Sequence, residues 1–273
     1  MTTRIGIAPS RTFPGNWTDA IAFCEQHGFD AVELKYELPF TFPDRLNESV
    51  IAEVGERVRA ADLFLSIHGP YSNIGELMDI RYEAAIAEHL EAIAIARTLG
   101  ARTYTLHGGS IESVYSTDEL FAHCRKRVAG ALERILAAAG PVKICLENQN
   151  IAETKRHKTN CLVSELHGFS GAFPQLAHTF DTGHANVTEW TPSQFLLQLG
   201  PERIGVCHVH DNDGKMDQHK GLADGTTDWD DFARTYVSSG SQFPLMLELG
   251  EPEAILSSQK ILREALAAAT VSG

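Results

Sequence analysis

Nine residues in this chain stand where short apolar runs break off or are interrupted, and their types are those that hold cations and move protons. His68 closes FLSIH, His107 closes YTLH and Glu147 closes ICLE; Asp181 closes HTFD, with His184 three residues on. His208 and His210 punctuate GVCHVH, Glu248 closes LMLE, and Glu33 stands within AVELK. Charged side chains are rarely buried unless paired or bound to metal, so carboxylates embedded in apolar runs beside imidazoles call for a divalent cation. His and carboxylate donors suit zinc, manganese or iron. No basic residue is expected among them. Some members have plainer explanations when taken alone. A lone histidine after a strand, such as His68, is more often a core or rim residue than a ligand. Glu33 divides evenly between pairing with Lys35 and a place in the site. His210 is expected to point away from His208's side or to stand behind the ligands. Asp211 and Asp213 belong to HDNDG, where turn chemistry favours aspartate anyway. The joint placement of Glu147, Asp181, His208 and Glu248 has no such explanation.

Bringing those residues to one point is the task of the elements that carry them. Eight short apolar runs recur, each followed by a longer amphipathic stretch: RIGIA, AVELK, LFLSIHG, TYTLHGG, VKICLEN, LAHTFDTGH, IGVCHVHDND and PLMLELG. The fifth is followed by a looser segment through His167. The long stretches carry apolar residues at helical spacing, as in Ala84, Ala87, Leu90, Ile93 and Ala94, and several run into glycine at Gly28, Gly100, Gly140 and Gly200. Strands that are continuously apolar suit a parallel sheet covered on both faces. Eight such units predict a (β/α)8 barrel forming one domain over residues 1–273, whose strand ends converge on the active face. A doubly wound sheet is disfavoured, because RIGIAPSRTFPG lacks the G-x-G-x-x-G fingerprint.

Composition narrows the function classes. With 23 Lys+Arg against 36 Asp+Glu, the chain of 273 residues has a formal charge of −13. That balance disfavours a polyanion as partner, since phosphate-tracking surfaces are usually basic. Mean hydropathy is −0.15, and no run is long enough for a membrane span. The start MTTRIGIAPS lacks the plan of a signal peptide, so a cytoplasmic location is expected. Five cysteines without a CxxC pair, at 24, 124, 145, 161 and 207, fit buried reduced thiols.

The segments ICLEN (144–148), FDTGHAN (180–186), CHVHDNDGKMDQHKGLADGTTDW (207–229) and LELG (247–250) resemble the xylose-isomerase-like barrel superfamily. That superfamily holds sugar isomerases, sugar epimerases and the endonuclease IV type of apurinic endonuclease, and the resemblance spans essentially the whole chain. In the isomerase and epimerase branch it implies one divalent metal, manganese, zinc, magnesium or cobalt, on Glu147, Asp181, His208 and Glu248. Glu147 and Glu248 would then move a proton next to a metal-polarised carbonyl. In the endonuclease branch it implies three zinc ions: one on His68, His107 and Glu147, a second on Glu147, Asp181, His208 and Glu248, and a third on His184, Asp217 and His219.

The sequence departs from the endonuclease pattern at Glu147-Asn148-Gln149-Asn150 and at Leu222-Ala223-Asp224-Gly225. The loops after the first two strands offer only Arg11, Lys35 and Arg45 as cations. The leading expectation is therefore a metal-dependent isomerase or epimerase of a small sugar, sugar phosphate or sugar acid, with homo-oligomers allowed. The rival is a trinuclear zinc phosphodiesterase. Glu33, Lys215 and Lys220 are the expected substrate contacts, while Lys155, Arg156 and Lys158 read as solvated loop charge.

Overall fold

The computed structural model describes residues 3–10, 12–41, 46–151 and 156–272. Arg11, Arg45 and Lys155 lie outside them. Among the described residues ten strands run in chain order: β1 (Ile5–Ile7), β2 (Ala31–Lys35), β3 (Phe64–His68), β4 (Thr103–Leu106), β5 (Ser110–Glu112), β6 (Lys143–Glu147), β7 (Arg156–Lys158), β8 (Ala177–Asp181), β9 (Ile204–Val209) and β10 (Leu245–Leu247). Eight of them close a parallel barrel in the order β1-β10-β9-β8-β6-β4-β3-β2. The remaining two, β5 and β7, pair antiparallel as a small flap built from the loops after β4 and β6.

The helices are α1 (Trp17–His27), α2 (Glu48–Ala60), α3 (Asp79–Leu99), α4 (Asp118–Ala138), α5 (Val163–Ala172), α6 (Thr182–Asn186), α7 (Pro192–Leu199), α8 (Trp229–Ser238) and α9 (Pro252–Ser272). Their ends are written locally. Asn16 caps α1 through the amides of Thr18 and Asp19, while Asp19 answers with a bond to the Asn16 amide. The same helix stops at Gly28, whose φ of 68° is left-handed. Thr191, Pro192 and Gln194 start α7 in the same way.

Two expectations change. The looser segment after β6 contains both β7 and α5. On α3 the buried stripe is Tyr82, Ala85, Ile86, His89, Ala92, Ile93, Ala96 and Leu99, so Ala84, Ala87 and Ala94 face solvent and Leu90 is half-buried.

Outward-facing strand residues, among them Ile5, Ile7, Val32, Leu34, Leu65, Ile67, Leu106, Leu146, Phe180, Leu245 and Leu247, join the helices in one apolar core. Inward residues alternate with them and form tiers along the barrel axis. The lowest is apolar, with Ala8, Ala31, Val206 and Met246 packed together and Phe64 against them. Above it lies a hydrogen-bonded polar tier of Glu33, Ser66, Thr105, Thr179 and His208. The uppermost tier, at the carboxyl ends of the strands, holds Lys35, His68, His107, Glu147, Asp181, His210 and Glu248.

All five cysteines are free and buried. Among the described residues no helix is long and apolar enough to cross a membrane.

Candidate metal centre

Each strand end delivers its side chain through a local device. The Asn148 amide group bridges β6 to β8, with Nδ2 donating to Asp181 O and Oδ1 accepting from Asp181 N at 2.7 Å. Asn160 Nδ2 donates to Glu147 O. Asp181 caps the short α6 by accepting the His184 amide at 2.7 Å, which swings the His184 ring beneath Asn148 O and beside Asp217 Oδ2, at 2.7 and 3.1 Å. Asn150 Nδ2 donates to that same Asp217 oxygen, and Lys158 of the flap donates to Asn150 Oδ1. His219, held in the left-handed region with φ 47°, points Nδ1 at Glu248 O and stacks on His210 with centroids 3.9 Å apart.

These devices gather the expected ligands. Glu147, Asp181, His208 and Glu248 are all buried. The Nδ1 atom of His208 lies 3.5 Å from Glu147 Oε1, 3.7 Å from Asp181 Oδ2 and 3.3 Å from Glu248 Oε2. His68 Nε2 and His107 Nε2 approach Glu147 Oε2 at 3.4 and 3.2 Å, and Tyr71 packs its ring against both imidazoles. Asp217 is reached by His184 and, at 3.4 Å, by His219. Three sets have donor atoms within 4.8 Å of one another: His68, His107 and Glu147; Glu147, Asp181 and His208; and His210, His219 and Glu248.

Opposite charges hold one another in this cluster. Burial pushes the Glu147 carboxyl up, yet the imidazoles of His107 and His208 outweigh it and hold the group well below the usual range. Asp181 is depressed in the same way, against its burial, by His184 and His210. Burial works against a charged His208, but Glu33, Glu248 and Glu147 together raise it well above an ordinary imidazole.

The donor set fits a divalent metal. Glu147 Oε2, His208 Nδ1, His210 Nδ1, Asp217 Oδ1 and Glu248 Oε2 are buried and make no hydrogen bond among the described residues. Leaving a buried polar atom unpaired costs roughly 1–3 kcal/mol each, and of these His208 Nδ1 and Glu248 Oε2 face one another at 3.3 Å, a pairing of donors that suits a charged guest.

Three expectations are revised. His210 does not turn away: it is fully buried, with Nε2 3.1 Å from Asp181 Oδ2. Residues two apart on a strand share a face, so the H-x-H spacing itself carried that information. A basic residue does stand in the ring: Lys35 is buried, and its Nζ lies 2.6 Å from Glu248 Oε1. Glu33 neither pairs with Lys35 nor reaches the mouth; it lies one tier down against His208, Ser66 and Thr105. Lys215 is exposed and Lys220 half-buried, and among the described residues no bond joins either ammonium to the cluster.

A parallel eight-stranded barrel carrying imidazoles and carboxylates at the carboxyl ends of its strands defines a (β/α)8 protein with a candidate metal site. Residues 21–268 match the family described as xylose isomerase-like TIM barrel, and the chain belongs to it. A solved D-tagatose 3-epimerase-like protein superposes with a TM-score of 0.86 at 21% identity, covering 98% of this chain and 99% of that one. Endonuclease IV from Thermus thermophilus gives 0.75 at 23% identity, covering 97% and 99%. A protein of Methanocaldococcus jannaschii described as uncharacterized is 24% identical over 270 residues, 96% of this chain and 89% of its own. At such identities the solved structures establish the fold, and the reaction has to be argued from the site.

Proposed function

We propose that the protein is a metal-dependent epimerase or isomerase that moves a proton at the carbon beside the carbonyl of a small sugar or sugar acid. The ion would be held by Glu147, Asp181 and Glu248 with imidazole nitrogen from the His208 and His210 pair. Bound there, a divalent ion polarises the substrate carbonyl and its neighbouring hydroxyl, which lowers the barrier to removing the adjacent proton.

The observation that carries this reading is the state of the two glutamates. Glu147 at the end of β6 and Glu248, the residue after β10, each present one buried oxygen that makes no hydrogen bond among the described residues. With β8 and β9 between their strands, they approach from different sides, so one takes the proton and the other returns it to the opposite face of the carbon. Lys35 and the surrounding imidazoles keep both carboxyls ionised and able to accept. Tyr71, over His68 and His107, offers an aromatic wall against which a sugar ring can rest.

D-Tagatose is the first substrate to try, followed by other ketoses and sugar acids. Incubation in D2O with manganese, cobalt, magnesium or zinc should place deuterium on the carbon next to the carbonyl as the epimer or isomer accumulates. Product without deuterium would assign a hydride shift, and a metal-loaded protein that leaves the whole panel unchanged would overturn the reading.

A second reading has its own support, because His68, His107 and Glu147 form a ligand set that shares only Glu147 with the one around His208. Three ions in such an arrangement suit phosphodiester hydrolysis. Metal analysis separates the two: three zincs per chain together with incision of abasic DNA at low salt favours the hydrolase, and one ion per chain favours the epimerase.

A further inference from the structure

The geometry points to Glu33 as the positioning residue of the metal centre, fixing the ring of His208 so that Nδ1 faces the three carboxylates. This rests on the metal-binding part of the function proposed above, and on none of its sugar chemistry.

Counting hydrogens settles the arrangement. Ser66 Oγ donates to Glu33 Oε2 at 2.5 Å and Thr105 Oγ1 donates to the same oxygen at 3.0 Å. A hydroxyl has one proton, so with its proton spent on Glu33, Thr105 accepts from Thr179 Oγ1, 2.8 Å away. Glu33 Oε2 is thus pinned by two donors, and Oε1 is left to His208 Nε2 at 2.7 Å. A carboxylate that receives two hydroxyl protons can only accept again, so Nε2 carries the hydrogen of that bond.

The other ring nitrogen is thereby committed. Among the described residues Nδ1 makes no hydrogen bond, and it stands between Glu147, Asp181 and Glu248. Glu33 and His208 are both fully buried, as are Ser66, Thr105 and Thr179 beside them, so no solvent competes for these bonds. Imidazoles that bind metal commonly hand their second N–H to a carboxylate, which fixes tautomer and ring orientation. Here that carboxylate comes from β2, two strands beyond β10 around the barrel.

The test reads metal binding and proton position, not turnover. Glu33→Leu should weaken manganese binding, measured calorimetrically, by roughly 10–100-fold, the range typical for losing such a partner. Glu33→Gln keeps an acceptor oxygen and should fall between that variant and the wild type. In a His208→Ala background, Glu33→Leu should add no further loss. Ring-nitrogen NMR of the zinc-loaded wild type should find the His208 proton on Nε2.

A folded Glu33→Leu protein with wild-type affinity, a further loss on top of His208→Ala, or a His208 ring protonated on Nδ1 would each overturn the assignment. The NMR measurement needs no variant, so it decides even where Glu33→Leu fails to fold. A protein inert toward every sugar would defeat the proposed reaction and leave these readouts untouched.

Discussion

Replacing Lys35 with methionine removes a charge while keeping most of the side-chain volume, and the structure specifies two opposite consequences. The side chains of Lys35 and Glu248 are 3% and 4% exposed, and Nζ lies 2.6 Å from Oε1. Removing one partner of a buried pair generally costs roughly 3–5 kcal/mol, because the other charge is left uncompensated. Glu248 keeps two neighbours, His208 Nδ1 at 3.3 Å and His219 Nδ1 at 3.9 Å from Oε2, which places the cost at the lower end. For a chain of this size, about 3 kcal/mol corresponds to a fall in Tm of roughly 6–12 °C. Adding metal should act in the other direction. Lys35→Met strips a positive charge from beside a ligand carboxylate, so a divalent cation should bind the variant more tightly. A tenfold gain in affinity is worth about 1.4 kcal/mol at saturation. Thermal melts with and without saturating manganese, supported by calorimetric titration, should show a metal-free variant well below the wild type and a larger metal-induced rise. A metal-free variant that melts with the wild type, or a rise no larger than the wild type's, would refute the role given to this pair.

The remaining predictions reach other parts of the molecule. Glu147→Gln and Glu248→Gln should each abolish turnover and weaken metal binding while the far-ultraviolet dichroism stays native, because barrel stability resides in the packed interior; full activity in the double variant would sink the mechanism. Gly183→Ala should be favourable by about 1 kcal/mol on helix propensity alone, yet its methyl would overlap the imidazole of His210. Metal affinity should therefore fall by roughly tenfold or more, as for loss of an orienting contact; unchanged calorimetric affinity would place His210 outside the ligand set. His89 is fully buried against Tyr104 OH, and burial lowers it to about 4. Its folded value lies below its unfolded one, so its contribution is intact above pH 6.5 and declines as pH falls toward 4, by up to about 1.4 kcal/mol per pH unit. In urea melts the stability gap between the wild type and His89→Gln should accordingly narrow by about 2 kcal/mol from pH 7 to pH 5, and a constant gap would argue against a neutral buried imidazole.

The barrel was legible because its signal is repeated: eight apolar runs with eight amphipathic followers survive errors in any one of them. The candidate ligands at the strand ends stood out for a related reason, since Glu147, Asp181 and Glu248 interrupt runs where a charge has no reason to sit unless something holds it. What failed was local. On α3, alanine lies on every side, with Ala85, Ala92 and Ala96 buried and Ala84, Ala87 and Ala94 exposed, so a small residue that fits either environment carried no information about the face. The flap strand Arg156–Lys158 is short and largely exposed, and its pairing with Ser110–Glu112 rests on backbone bonds to which polar side chains give no clue.

Lys35 marks the boundary between what a pattern determines and what closure of the barrel determines. Period two already places Ala31, Glu33 and Lys35 on one face of β2, and likewise His208 and His210 at the end of β9; alternation alone therefore put a cation in the uppermost tier and a second imidazole beside the first. Alternation could not name the partner. Glu248 is 213 residues away and becomes a neighbour only because β10 and β2 flank β1 in the closed sheet. The same closure places Glu33 beneath His208. Two residues on β2 thereby set the chemistry of two on the far side of β1: one limits which oxygen Glu248 can offer, the other fixes which nitrogen His208 presents.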